Sequence, residues 1–143
     1  MRAMVVLTPD AIPEALASLT EPWSAAPGTG DGSVGAWLDF YGIVRAEEPE
    51  AGGAAIRALE YEAHEEMAVH QMEKILADLA SKYPLRAVLV VHRLGVVPVG
   101  EPSLLVRILS PHRGEALAAA ASFIDELKKW VPIWKHAVLD SGA

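Results

Sequence analysis

Cysteine is absent from this chain of 143 residues. Without a thiol, the chain forms no disulfide, holds no Cys-ligated metal and carries no thiolate nucleophile or persulfide of its own. Three of its histidines, His64, His70 and His92, lack the spacing of a metal site, so we interpret them as structural or solvated residues. The sequence therefore predicts neither a metal nor a cofactor.

Long apolar runs are also missing. The opening segment, MRAMVVLTPD, contains too short an apolar run for a secretory signal. No stretch approaches the roughly 20 apolar residues that a transmembrane helix needs. We therefore expect a soluble, cytoplasmic protein.

Basic residues are few, with 12 lysines and arginines against 19 acidic residues and a net charge of −7. Broad nucleic-acid binding needs a basic face, so this balance argues against it. The segment from His112 to His136 differs, because it holds four Lys/Arg and two His but only three acids. A local cationic pocket therefore stays possible in this part of the chain.

The residues that are present predict one globular α+β domain over residues 1–143, since 52% of them are hydrophobic and no linker or repeat interrupts them. Apolar runs and periodicity predict strands at 3–7, 36–44, 56–62, 86–91, 94–99 and 104–110, and helices at about 9–19, 64–82 and 113–130. The last two strands are expected to pair around a turn at 100–102. Loops are expected at 28–35 and 46–54, with a short tail at 137–143. This order predicts a mixed or antiparallel sheet with helices packed on it.

The helix starts carry polar residues. Thr8 is expected to cap the first helix, and Ser110 the last, with Pro111 as its first residue. His112 and Arg113 then lie in a first turn, where a basic pair is mildly unfavourable. They are either exposed side chains of no further role or donors to an anion bound at the helix start. Both interpretations remain open.

Lys128 falls on the apolar stripe of the last helix at 3.6 residues per turn. The other members of that stripe are Leu117, Ala120, Ala121, Ile124 and Leu127. Lys128 is either a snorkelling side chain or a partly desolvated, reactive amine. Its neighbour Lys129 points away from the stripe and is expected to be solvated.

The stretch that follows, WVPIWKH, contains residues typical of packing. We expect Trp130, Ile133 and Trp134 to close the core, and Pro132 to set a bend that returns Lys135 towards Lys128. Arg45 ends an apolar strand, where arginines often recognise anions, although a single arginine is a weak signal.

Six segments in this order resemble the large, catalytic subunit of molybdopterin synthase. They are FYGIVR (40–45), LEYEAHEEMA (59–68), KYPL (82–85), VVHRLGVVPVGEPSLLV (90–106), SPHRGEA (110–116) and IDELKKWVPIWK (124–135). The resemblance implies an α/β-hammerhead core with an added small α+β region, and a dimer. It also implies transfer of sulfur to cyclic pyranopterin monophosphate (precursor Z), which forms the dithiolene of molybdopterin.

The implied sulfur donor is a small ubiquitin-like partner whose C-terminal Gly-Gly carries a thiocarboxylate. One such partner on each large subunit gives a heterotetramer. A chain without cysteine fits this scheme, because the sulfur must come from another molecule.

The resemblance also implies site residues. The essential lysine of the family falls on Lys128 and its second site lysine on Lys135. The residues assigned to substrate binding are Arg45, His112, Arg113, Ile43, Val44 and His136. Two departures bear on activity: RAEEPEAGGA replaces the usual Asn-His-Asn-like loop after Arg45, and the chain ends HAVLDSGA. Two alternatives to catalysis are therefore a family member that only binds a ubiquitin-like tail or a phosphate ligand, and a plain structural dimer.

The helix geometry separates two halves of the implied site. Arg113 and Lys128 are fifteen residues apart, which corresponds to roughly 22 Å along a helix. One small substrate cannot touch both. We therefore expect a pocket shared across a dimer interface, with Lys128 and Lys135 of one chain facing His112 and Arg113 of the other.

Overall fold

The structure is a computed structural model that describes residues 1–20, 23, 27, 30–48 and 51–140. Parts of the expected loops at 28–35 and 46–54 and of the tail at 137–143 lie outside these residues. The elements are β1 (Arg2–Thr8), α1 (Ile12–Ala17), β2 (Ala36–Ile43), β3 (Ile56–Ala63), α2 (Glu65–Lys82), β4 (Ala87–Arg93), β5 (Gly95–Pro98), β6 (Pro102–Ser110), α3 (Arg113–Trp130) and β7 (Ile133–Leu139).

The strands form two sheets. The larger sheet has the order β1-β4-β6-β2, and the smaller one has the order β5-β3-β7. β1 pairs with β4 in parallel, whereas the other pairs are antiparallel. The α+β class with a mixed sheet is thereby confirmed.

Helices cover both faces of the larger sheet. α2 and α3 pack on one face and α1 on the other. Successive side chains of β4 point to opposite faces of the sheet. Val90 packs with Phe123 on the face covered by α2 and α3, and Leu89 packs with Ile12 of α1 on the other face. A strand buried on both faces reads as a continuous apolar run, which explains why β4 was predictable. No helix in the described part of the chain is long and apolar enough to cross a membrane.

The predicted hairpin of the fifth and sixth strands is wrong. β5 pairs with β3 in the smaller sheet, whereas β6 pairs with β4 and β2 in the larger one. Gly95 and Gly100 flank β5 with positive φ angles of 84° and 90°, which let the chain leave and rejoin the larger sheet. The turn after β5 is held by Val44, which donates to the Glu101 carbonyl at 3.0 Å and accepts from the Gly100 N–H at 2.8 Å.

The last segment also differs from expectation. Residues 133–139 form strand β7, which was not predicted and which includes the first three residues of the expected tail. Among the described residues β7 is an edge strand paired with β3 alone, so part of its surface faces solvent. Trp130 and Trp134 are 63% and 53% exposed, and their expected place in the core is wrong. Ile133 does pack against the main core.

The helix starts lie slightly later than predicted. Thr8 belongs to β1, and α1 begins at Ile12 with Ala11 as its N-cap. Ser110 ends β6 and donates its hydroxyl to the His112 carbonyl at 2.6 Å. His112 is the N-cap of α3, and its backbone N–H donates to the Glu115 side chain at 3.2 Å. Thr8 and Ser110 therefore serve as turn residues at strand ends.

The buried face of α3 is rotated about the helix axis relative to the predicted apolar stripe. Its buried residues are Ala116, Ala119, Ala120, Phe123 and Leu127. Leu117 is 57% exposed and Ala121 is exposed as well. The run of four alanines at 118–121 carries almost no periodic signal, because any of its faces can be buried. In α2, similarly, Met67 is exposed although it lies in an amphipathic helix.

Candidate active site between the two sheets

A cavity of about 550 Å³ opens where the two sheets meet the C-terminal half of α3. The larger sheet contributes the ends of β2 and β4 and the start of β6, the smaller sheet contributes β3 and β7, and α3 contributes its last turns. The polar and charged residues that line the cavity include Arg45, Glu48, Tyr61, His92, Lys128 and Lys135. The size and mixed lining are those of a small-molecule site.

Three cationic side chains come to this cavity from separate elements. Lys128 lies in the last turn of α3 and is exposed. Lys135 lies on β7 opposite Tyr61 of β3. Arg45 follows the end of β2 and is also exposed. Ammonium and guanidinium groups that converge in this way bind phosphates and carboxylates through charge-assisted hydrogen bonds.

One acidic side chain in the cavity wall was missed by the sequence interpretation. Glu48 lies in the loop after Arg45, and its side chain is only 7% exposed. Its Oε2 accepts a hydrogen bond from Lys135 Nζ at 3.2 Å. A single acid among several in a loop without helical or strand periodicity gives no signal of burial. The sequence therefore did not distinguish Glu48 from Glu47.

His92 is the second residue that the sequence interpretation did not assign to the site. It is buried at the end of β4, and its ring lies edge-on to Tyr61 with centroids 5.1 Å apart. Its Nδ1 lies 2.8 Å from the Arg93 carbonyl, which accepts, so Nδ1 carries the proton in the neutral ring. Burial lowers the pKa of the His92 imidazole below its ordinary 6.5. The ring is therefore neutral at pH 7.

The remaining residues assigned from the resemblance divide into two groups. Ile43 lines the cavity with Arg45 and the two lysines. Val44 is 3% exposed and belongs to the small core between the sheets. His136 lies on β7 with its Nε2 3.5 Å from a Glu62 carboxylate oxygen. Neither Val44 nor His136 is among the described residues that line the cavity.

His112 and Arg113 lie at the far end of α3 from Lys128, as the helix geometry predicted. The His112 side chain is 80% exposed, and its Nδ1 lies 3.3 Å from a Glu115 carboxylate oxygen. Within the described part of one chain, the fold does not bring this pair to the cavity.

A cavity at the junction of two sheets, lined by three cationic side chains and one carboxylate, defines an α+β protein with a site suited to anionic ligands. The family model described as "MoaE protein" matches residues 14–130. The chain belongs to the MoaE family.

Similar proteins from an archaeon, an insect and human share one name. The "Molybdopterin synthase catalytic subunit" of Pyrococcus abyssi is 41% identical over 110 residues, which cover 77% of this chain and 72% of that protein. The human protein of the same name is 41% identical over 91 residues, covering 64% of this chain and 48% of the relative. For the Drosophila erecta protein the match covers 77% of this chain but only 29% of the longer relative.

Two solved structures have a backbone fold similar to that of this chain. The crystal structure titled molybdopterin synthase from Staphylococcus aureus has a TM-score of 0.73 and 28% identity, covering 96% of this chain and 91% of that one. A Helicobacter pylori structure, titled a complex of subunits 1 and 2 of molybdopterin-converting factor, has a TM-score of 0.68 and 25% identity, covering 96% and 84%. The resemblance and the α+β fold class that it implied are confirmed.

Proposed function

We propose that this chain is the catalytic subunit of a molybdopterin synthase. It transfers sulfur from the C-terminal thiocarboxylate of a small ubiquitin-like subunit to cyclic pyranopterin monophosphate. The observation that carries this proposal is the convergence of Lys128, Lys135 and Arg45 on one cavity of about 550 Å³. Both the substrate phosphate and the donor thiocarboxylate are anions, and these cations suit both.

The two lysines are proposed as the catalytic groups. Addition of water or another nucleophile to the acyl carbon that carries the sulfur places negative charge on the carbonyl oxygen, which a nearby ammonium stabilises. Collapse of this adduct breaks the carbon–sulfur bond, releases the sulfur and restores the carbonyl. Lys128 lies at the exposed end of α3 and is suited to meet a chain that enters from solvent. Lys128 acts as charge stabiliser, base or nucleophile in this scheme, and the three roles share the requirement for its amine.

The proposed assembly has one small subunit for each copy of this chain and a dimer of the larger chain. The Helicobacter pylori structure, whose title names a complex of two subunits, supports the small partner. We further propose that His112 and Arg113 of a second copy complete the cavity, since they lie too far from Lys128 within one chain. A cytoplasmic location stays a prediction, which cell fractionation tests.

The test is single-turnover product formation with purified thiocarboxylated partner and precursor Z. Lys128→Ala is expected to lower the rate by about 100-fold or more, because the group that stabilises the transition state is lost. Lys129→Ala is the matched control, since Lys129 is an exposed neighbour on the same turn. It is expected to keep the wild-type rate.

Binding of the partner is measured in parallel and is expected to be unchanged in both variants. Full turnover by Lys128→Ala would contradict the catalytic role. A wild-type chain that binds the partner but forms no product would instead favour a non-catalytic binding protein.

A further inference from the structure

Glu48 is a buried carboxylate in the wall of a cavity that otherwise contains cations. Its side chain is 7% exposed, whereas the adjacent Glu47 is exposed. Its partner Lys135 is 87 positions away in the sequence, so the fold and not the local chain brings the two together.

The loop that carries Glu48 is anchored on both sides. The Glu48 carbonyl accepts from the Ala51 N–H at 3.1 Å, and the Ala46 carbonyl accepts from the Ile56 N–H at 3.2 Å. The first bond closes a turn within the loop, and the second ties the loop to the start of β3. The carboxylate therefore occupies a fixed place next to the smaller sheet.

Lys135 is a flexible side chain whose head group a fixed carboxylate restrains. It lies on an edge strand, and its side chain is 41% exposed. A lysine has four flexible carbons, so an unrestrained ammonium samples many positions. An ammonium has three N–H donors, so one bond to Glu48 fixes the head group without by itself exhausting those donors.

We propose that Glu48 is a positioning residue that holds the Lys135 ammonium in the cavity for sulfur transfer. This inference rests on the proposed function, in which Lys135 contacts the reacting groups. A buried carboxylate is costly without a partner, so the pair keeps both side chains in place.

The kinetic test compares Glu48→Gln with the matched control Glu47→Gln. Glu48→Gln is expected to lower kcat about tenfold with little change in KM, because a misplaced catalytic group weakens only the transition state. Glu47→Gln is expected to keep the wild-type kcat. The same substitution is then made in a Lys135→Met background, where it should change the residual rate by less than about twofold.

The double variant distinguishes a positioning role of Glu48 from a role in fold stability alone. If Glu48 only stabilised the fold, Glu48→Gln would lower the rate by the same factor with or without Lys135. That result, or a wild-type kcat in Glu48→Gln, overturns the inference while leaving the proposed function intact.

A second measurement does not require turnover. The proteins are treated with an acetylating N-hydroxysuccinimide ester, and mass spectrometry compares labelling of Lys135 with that of Lys129. Loss of the ion pair with Glu48 in Glu48→Gln is expected to raise Lys135 labelling about threefold, and Glu47→Gln should leave it unchanged. Equal labelling in all three proteins overturns the inference. An inactive wild-type chain with the expected labelling pattern instead overturns only the proposed function.

Discussion

His92 is a buried side chain in the cavity wall, and burial governs its charge state. Its pKa in the folded chain is lower than the ordinary 6.5 because burial disfavours the imidazolium. The unfolded chain therefore binds more protons than the folded chain as the pH falls below that value. The stabilising contribution is complete above the unfolded pKa and is lost as the pH falls towards the folded one.

The free energy of unfolding is accordingly expected to decrease as the pH is lowered from about 7 to about 5, and His92 should account for part of that slope. His92→Asn keeps an N–H donor for the Arg93 carbonyl and removes the titrating ring. Urea unfolding of both proteins at several pH values measures the difference in slope. Identical slopes would show that His92 does not titrate differently on folding.

The titratable residues of the cavity were predictable to different degrees. Lys128 and Lys135 were found because each stands in a specific motif of the family. Glu48 and His92 were not, since their roles depend on a cavity wall made by distant segments. A buried acid gives no signal until its partner is placed beside it, here from β7.

At the scale of elements, Gly35, the residue before β2, lies against the turn between β6 and α3. Its N–H donates to the Ser110 carbonyl at 3.0 Å, and a Cβ added there would collide with the Pro111 carbonyl oxygen. Gly35→Ala is therefore expected to destabilise the protein by about 1–3 kcal/mol, because backbone must shift to accept the methyl group.

Gly114 gives the opposite expectation within the first turn of α3. A Cβ added at Gly114 meets no atom within 4 Å. Gly114→Ala is expected to stabilise the protein by about 0.5 kcal/mol by restricting the unfolded chain. Urea denaturation of both variants measures the two changes. A Gly35→Ala protein as stable as Gly114→Ala would contradict the close approach to Pro111.

Elements with strong periodicity or continuous apolar runs were predictable, and pairings between them were not. The expected strand at 86–91 is observed as β4, at 87–93, because it is buried on both faces. The pairing of β5 with β3 could not be read from the sequence, since an adjacent strand, β6, offered a shorter connection. β7 was missed because Pro132 and two lysines suggested a helix end followed by a turn.

For the whole molecule, one chain supplies only part of the implied site. The cavity contains Lys128 and Lys135, whereas the exposed His112 and Arg113 lie at the opposite end of α3. A two-fold dimer creates two equivalent sites and can place one end of α3 against the other. Such an arrangement makes each cavity depend on residues of both copies.

Mixed dimers test this arrangement directly. Arg113→Ala and Lys128→Ala proteins, each inactive alone, are unfolded together, refolded and assayed. If the cavity is shared, a dimer with one chain of each kind has one cavity that carries both substitutions and one that carries neither. Random pairing then restores about a quarter of the wild-type activity, since half the dimers are mixed and each has one intact cavity.

Lys128→Ala mixed with Lys135→Ala is the control and should restore nothing, because both lysines come from the same chain. Absence of recovery in the first mixture, with mixed dimers shown by native mass spectrometry, would place the site within one chain.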